Sequence, residues 1–298
     1  MSDATAPARP RGPYGMEYAR IRVPDLDDTV RFLQYHVGLQ LEGHDADHAH
    51  LRADSEHHSI ELLAAPELDV SETVAIGFSV EDDATLDDLE ERVRAAGLEV
   101  LPLHERQRRL VARGFGVADP NGLVVELFTE PLEYAEAPMI ELRPLDLVHP
   151  FLHTTDYEGT LRFYTEVLGF LASDHIEHST SFLRCEDRYH HSLAISKADE
   201  FQVAHLCFMM KSFDHVMRMR ARAFYKDLDV PSDIVNHSAS TSIAFYIQEP
   251  THGPRYELCD GHRVFTPEEH ETHRPRRMTA DPRNIDVWRA AADDWERF

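Results

Sequence analysis

Cysteine is scarce in this chain, with only Cys185, Cys207 and Cys259 among 298 residues. Three irregularly spaced thiols frame neither a disulfide scaffold nor a cysteine-rich zinc site, so reduced and mostly buried cysteines are expected. Basic charge is also sparse: 30 Lys and Arg stand against 54 Asp and Glu, for a net charge of −24. A nucleic-acid partner needs a basic face to meet phosphates, and this balance argues against one. The acidic excess otherwise bears on solubility and leaves the substrate open. Long apolar runs are missing too. No stretch approaches the roughly 18 consecutive apolar residues of a membrane span, and the N-terminal residues lack the apolar core of a signal peptide. The expectation is a cytoplasmic protein without a membrane partner. A hydrophobic content of 42% and a mean hydropathy of −0.43 describe a globular chain long enough for two domains with their own cores.

Histidine, by contrast, is abundant at 20 residues. Many lie in polar runs such as HDADHAH and EEHETH, which read as solvated surface, so weight falls on histidines inside apolar strand patterns. His149 in LDLVHPFLHTTD and His205 in FQVAHLCFMM are such residues, and Glu257 in GPRYELCD completes a set of three potential ligands. Two neutral imidazoles and a carboxylate bind a divalent first-row metal on one face and leave the opposite positions open. That is the arrangement of non-heme Fe(II) oxygenases.

Residues 1–15 are rich in Pro, Ala and Gly and read as a flexible arm, with order expected from Met16. A first domain is expected over 16–130. It begins with the strand YARIRV and a helix capped by Asp25, with Leu26, Val30, Leu33 and Val37 at helical spacing and Gly38 as its closing residue. Strands are expected at 48–53 and 57–63, then at TVAIGFSV, 98–102, 110–117 and 123–128, with a helix from Leu86 to Ala96. Residues 131–144 read as a linker and 145–262 as a second domain on the same plan. Residues 263–298 form an extension whose ending, IDVWRAAADDWERF, has the pattern of a short amphipathic helix bearing Trp288 and Trp295.

The two halves repeat residue by residue. Asp25 to Phe32 matches Asp156 to Phe163, HHS at 57–59 matches HHS at 190–192, VAIGF at 74–78 matches VAHLCF at 203–208, and DPNGLVVE at 119–126 matches EPTHGPRYE at 249–257. In this register Tyr18, Ile76 and Glu126 stand where the second half has His149, His205 and Glu257. A phenol, an isoleucine and one carboxylate make no first-row metal site, so the first half is expected to be metal-free and structural.

Over residues 16–260 the chain resembles the type I extradiol ring-cleavage dioxygenases of the vicinal oxygen chelate superfamily. The resemblance rests on HPFLHTTDYEGTLRFYTEVLGF, RYHHSLAI, VAHLCFMMKSFDHV and NHSASTSIAFYIQEPTHGPRYEL. It implies an α+β fold of two tandem domains, each built from two βαβββ modules whose mixed sheet curls around a funnel. It further implies Fe(II), with Mn(II) as the alternative, on His149, His205 and Glu257, and catalytic roles for His191, His237 and Tyr246. His191 matches the histidine beside the O2 position, while His237 and Tyr246 match groups that hydrogen-bond the substrate oxygens. The partners implied are a catecholic small molecule and O2, a ring-opened semialdehyde is the product type, and a homo-oligomer is the usual assembly. Asn236 stands where many members carry Gly-Arg, and EPTHGPRYE has one extra residue before Glu257; both departures bear on substrate choice. Two other functions are open: a metal-dependent isomerase or epimerase of the glyoxalase type, and a non-catalytic ligand-sequestering protein.

Overall fold

The computed structural model describes residues 9–289. The first half runs β1 (Gly15–Val23), α1 (Leu26–Phe32), β2 (Gln40–His44), β3 (His48–Arg52), β4 (Ile60–Ala64), β5 (Glu72–Ser79), α2 (Asp83–Ala95), β6 (Arg113–Ala118) and β7 (Val124–Thr129). The second half runs β8 (Pro144–Thr154), α3 (Tyr157–Arg162), β9 (Leu171–Ile176), β10 (Thr180–Arg184), β11 (Leu193–Lys197), β12 (Gln202–Met210), α4 (Phe213–Tyr225), β13 (Ser232–Asn236), β14 (Ile243–Ile247) and β15 (Arg255–Asp260). A short helix α5 (Pro267–Thr272) and a strand β16 (Arg276–Met278) follow. None of the described helices is long and apolar enough to cross a membrane.

Local chemistry sets the helix ends. Asp25, Asp82, Asp156 and Ser212 each accept a backbone amide of the first turn, satisfying donors that a helix start leaves unpaired. α1 and α3 both run into one π-helical turn, closed by the Gly38 amide on the Leu33 carbonyl and the Leu168 amide on the Phe163 carbonyl. Gly38 then turns the chain at φ 89°, and a Cβ there would meet the Leu142 carbonyl oxygen at 2.4 Å. Only glycine fits that turn.

Two mixed sheets result, ordered β2-β3-β4-β1-β5-β7-β6 and β13-β14-β15-β12-β8-β11-β10-β9-β16. In each, two modules meet through one antiparallel pair, β1 with β5 and β8 with β12. The architecture is the α+β one expected from the resemblance. Residues 98–102, expected as a strand, make only a Leu101–Gly116 bridge. β2, β9 and β13 escape the sequence pattern because QLEGH, LASDHI and SDIVN lack apolar alternation.

One face of each sheet is buried against its helices, as with Ile21, Leu62 and Phe208. The hydrophobic core is continuous between the halves, where Phe78 meets Phe170 edge-on with ring centroids 5.3 Å apart. All three cysteines are buried and free.

Order begins before Met16. Arg9 pairs with Glu186 at 2.5 Å and reaches His270 at 2.8 Å, and the Tyr14 amide donates to the Ser79 carbonyl at 2.7 Å. His270, from a run that reads as surface, is 3% exposed because the arm and Arg184 close over it. The described part of the C-terminal sequence, 285–289, is a turn rather than helix, tied by the Val287 amide to the Asn236 carbonyl. Trp288 is half exposed, and Trp295 lies outside the described residues.

Where the halves meet, burial pushes the Asp187 carboxyl up to about 8, and Glu17 and Asp146 to about 7. The Asp187 carboxyl accepts from the Ser192 hydroxyl at 2.9 Å. Its folded pKa exceeds the unfolded value of about 3.9, so its stabilising effect is complete below that pH and is lost as pH rises toward 8. Asp187→Asn keeps an acceptor for Ser192 and removes the titration. Urea unfolding at pH 5 and pH 7 is expected to show the variant gaining on the wild type by up to about 1.4 kcal/mol per pH unit. Parallel pH profiles would refute this.

Candidate metal centre and active site

Four neighbouring strands build the site. The registers of β14 with β15, β15 with β12 and β12 with β8 set Tyr246, Glu257, Cys207 and His149 abreast. Residues abreast share a face, and His205, two positions from Cys207 on β12, shares it too. The sheet therefore gathers residues more than a hundred positions apart in the chain.

Three donor atoms converge there. Glu257 Oε2 lies 3.0 Å from His205 Nε2 and 3.6 Å from His149 Nε2, and the two imidazole nitrogens are 3.4 Å apart. Metal–ligand bonds of about 2.1 Å at angles of about 90–110° separate donors by about 3.0–3.4 Å, so the set fits a first-row dication. His149 and Glu257 are each 2% exposed. Burial lowers the His149 imidazole to about 4, leaving it neutral and able to ligate. Burial also pushes the Glu257 carboxyl up, but hydrogen bonds from His149, His205 and His237 outweigh it and hold the group well below the usual carboxylate range.

The other sequence candidates surround these donors. His191 Nε2 is 3.3 Å from His149 Nε2, and the rings are 4.1 Å apart. Burial, then the neighbouring His149 and His262, keeps His191 neutral. His190 turns the other way and bonds Asp174 at 2.9 Å. His237 Nδ1 donates to the Ile285 carbonyl at 3.2 Å and its Nε2 lies 2.9 Å from the Tyr246 hydroxyl; burial lowers the imidazole, but the hydrogen bond to Glu257 and its charge outweigh that and raise it above the usual value. His237 Nε2 also lies 3.4 Å from Glu257 Oε1. Burial, then the nearby Glu257, pushes the Tyr246 phenol far above its usual range. His153 lines the cavity with Nδ1 2.8 Å from Gln202 Nε2.

Several features were not legible in the sequence. His262, just past β15, is buried with neither ring nitrogen bonded, and it offers a donor alongside His149 and His191. Its only sequence signal is its position after the Glu257 strand. Cys207 sits within the row of site residues, its sulfur 3.3 Å from that of Cys259. The C-terminal extension supplies Asn284 and Ile285 to the cavity wall. That cavity measures about 280 Å³ and adds Phe151, Ile176 and Phe182 around the donors. Phe151 stacks on His205 at 4.9 Å.

The first half corrects one expected equivalence. Tyr18 pairs with Gly77 and Gly77 with Glu126, as His149 pairs with Cys207 and Cys207 with Glu257. Ala75 lies beside Arg20 as His205 lies beside Phe151, so Ala75, not Ile76, is the counterpart of His205. Ile76 belongs to the hydrophobic core on the other face, since a slip of one residue reverses which side of the sheet a side chain meets. The small Ala75 leaves room for Arg20, whose two terminal nitrogens each donate to Glu126 at 3.1 Å.

Residues 15–127 match the family described as Glyoxalase/Bleomycin resistance protein/Dioxygenase superfamily. Biphenyl-2,3-diol 1,2-dioxygenase of Pseudomonas sp. (strain KKS102) is 28% identical over 257 residues, 78% of this chain and 85% of that protein. An iron-dependent extradiol dioxygenase of Rhodococcus jostii (strain RHA1) is 25% identical over 273 residues, covering 84% and 90% of the two chains. The crystal structure of a Mn(II)-bound glyoxalase from Novosphingobium aromaticivorans superposes with a TM-score of 0.82 at 25% identity, over 93% of this chain and 91% of that one. Residues 15–127 thus match a domain of the glyoxalase/bleomycin resistance protein/dioxygenase superfamily, and over most of its length the chain is similar to extradiol dioxygenases.

Proposed function

We propose that this chain is an extradiol dioxygenase that opens a catecholic ring with O2 at a mononuclear Fe(II) held by His149, His205 and Glu257. The observation that carries this reading is the convergence of the three donors at the base of a cavity walled by Phe151, Phe182 and Ile285. Fe(II), when bound, supplies Lewis acidity to the diol, open positions for diol and O2, and an electron path between them.

The protein's own groups do the remaining work. The apolar wall receives the aromatic ring and excludes water. Tyr246, held protonated by burial, donates a hydrogen bond to an ionised substrate oxygen. His237 Nε2 is the base within reach of a diol proton, and the Ile285 carbonyl fixes its ring by accepting from Nδ1. His191 stands on the other side of His149, neutral, and can stabilise negative charge on oxygen and hand over a proton.

Tyr246→Phe is expected to lower kcat/KM about 10-fold, the cost of one hydrogen bond to a charged group. Iron content should not change. Oxygen-uptake kinetics from pH 6 to 9 with an iron assay measure this, and an unchanged kcat/KM at neutral pH would refute it.

A second reading, isomerisation of the glyoxalase type, draws on the similarity to the Mn(II)-bound glyoxalase. One experiment separates the two. The full chain is loaded with Fe(II) under anaerobic conditions and given O2 with catechol, 3- and 4-alkylcatechols, dihydroxybiphenyl or homoprotocatechuate. Stoichiometric O2 uptake with a yellow ring-opened product upholds the dioxygenase; absence of uptake across the panel overturns it.

A further inference from the structure

The first sheet carries a second convergent donor set, made of residues other than the counterparts of His149, His205 and Glu257. His50 on β3 and Glu61 on β4 are direct cross-strand partners, and His58 lies just before β4. These residues are 9%, 1% and 4% exposed respectively. The run HDADHAH reads as surface, yet its His50 is enclosed, because β3 is an inner strand with β2 and β4 on either side.

Each of the three residues carries a buried atom without a hydrogen-bond partner. His50 Nε2, His58 Nε2 and Glu61 Oε1 are buried without a hydrogen bond, and the three residues offer ligand atoms within 4.8 Å of one another. His50 Nε2 is 3.6 Å from Glu61 Oε1, and the two histidine rings are 4.6 Å apart. Buried polar atoms rarely go unpaired, so three in one cluster call for a partner.

The second atoms of Glu61 and His58 are already committed. Arg20 Nε donates to Glu61 Oε2 at 2.5 Å, and His58 Nδ1 lies 3.0 Å from His57 Nδ1. A bond to the far nitrogen is what orients a ligating imidazole. Arg20 also binds Glu126, so one guanidinium serves two carboxylates. His48 and His57, both partly exposed, contact the His50 ring at 5.1 and 5.2 Å.

We propose that His50, His58 and Glu61 hold a second divalent first-row cation, of the Zn(II) class, in the half of the chain that lacks the His149, His205 and Glu257 pattern. Two imidazole nitrogens and one carboxylate oxygen suit such an ion. The competing partner is a single buried water bridging the same three atoms.

Zn(II) binding to the metal-stripped full-length chain decides between them, by calorimetry and by metal content after gel filtration. Wild type is expected to bind two equivalents, His205→Ala one, and His205→Ala combined with His58→Ala none. Co(II) added to the His205→Ala chain provides a readout without altering the proposed ligands, through nitrogen couplings of two histidines in its electron-nuclear spectrum. A His205→Ala chain that takes up no Zn(II) and shows no histidine-coupled Co(II), or one equivalent that survives His58→Ala, would overturn the site in favour of the water. The C-terminal reading is judged separately: if His205→Ala keeps both equivalents, that reading fails, while loss of one equivalent in His58→Ala alone still upholds this one.

Discussion

Glu257→Ala is expected to abolish iron retention and ring cleavage together, with kcat/KM for any accepted catechol falling by at least about 10³-fold. Glu257 is the one carboxylate among the three converging donors, and it stands abreast of Tyr246 and in contact with His149, His205 and His237. It fixes the position of three imidazoles and supplies the only negative charge in the set. Glu257→Gln tests that charge by itself, since the amide keeps the shape and one acceptor oxygen. Iron content and O2 uptake on both variants, with thermal unfolding as a control for folding, check the assignment. Full iron content in Glu257→Ala would show the ion to be held elsewhere.

The second large effect belongs to His191. His191→Asn is expected to lower kcat by about 10²-fold or more, the range for removing a positioned acid or base, while iron content and KM change little. Its Nε2 lies close to the donor nitrogen of His149, and among the described residues no carboxylate bonds its ring. The measurement distinguishes two donor sets that share His149. If iron leaves with His191, the ion belongs to His149, His191 and His262. If iron stays and turnover falls, His191 works on the bound reactants.

Much of the architecture could be read from local pattern. Asp25, Asp82, Asp156 and Ser212 cap helices because a short polar side chain before an apolar period is itself the cap. The repeat is visible because both halves must bury the same helix faces and close the same turns. The three donor identities stand out because each interrupts an apolar strand.

Other features depended on what packs against what. His50 and His270 lie in runs of charge and imidazole, and only β2 and β4 on one side, and the Arg9 segment on the other, put them inside. Ile76 and Ala75 differ by one position, and sequence similarity alone could not choose between them. The pairing of β1 with β5 did, sending Ile76 to the core and Ala75 to the face where Arg20 binds Glu126. The cavity wall at Ile285 likewise comes from a segment without apolar period, which returns across the second sheet to accept from His237.

The amino-acid sequence by itself determined the helix caps, the repeated module and the types of donor available, because these depend on neighbours within a few residues. Tertiary structure alone decided which donors meet and which histidines lose water. Those outcomes rest on strand register and burial, which pair residues far apart in the chain and exact their desolvation cost only once the sheets have closed.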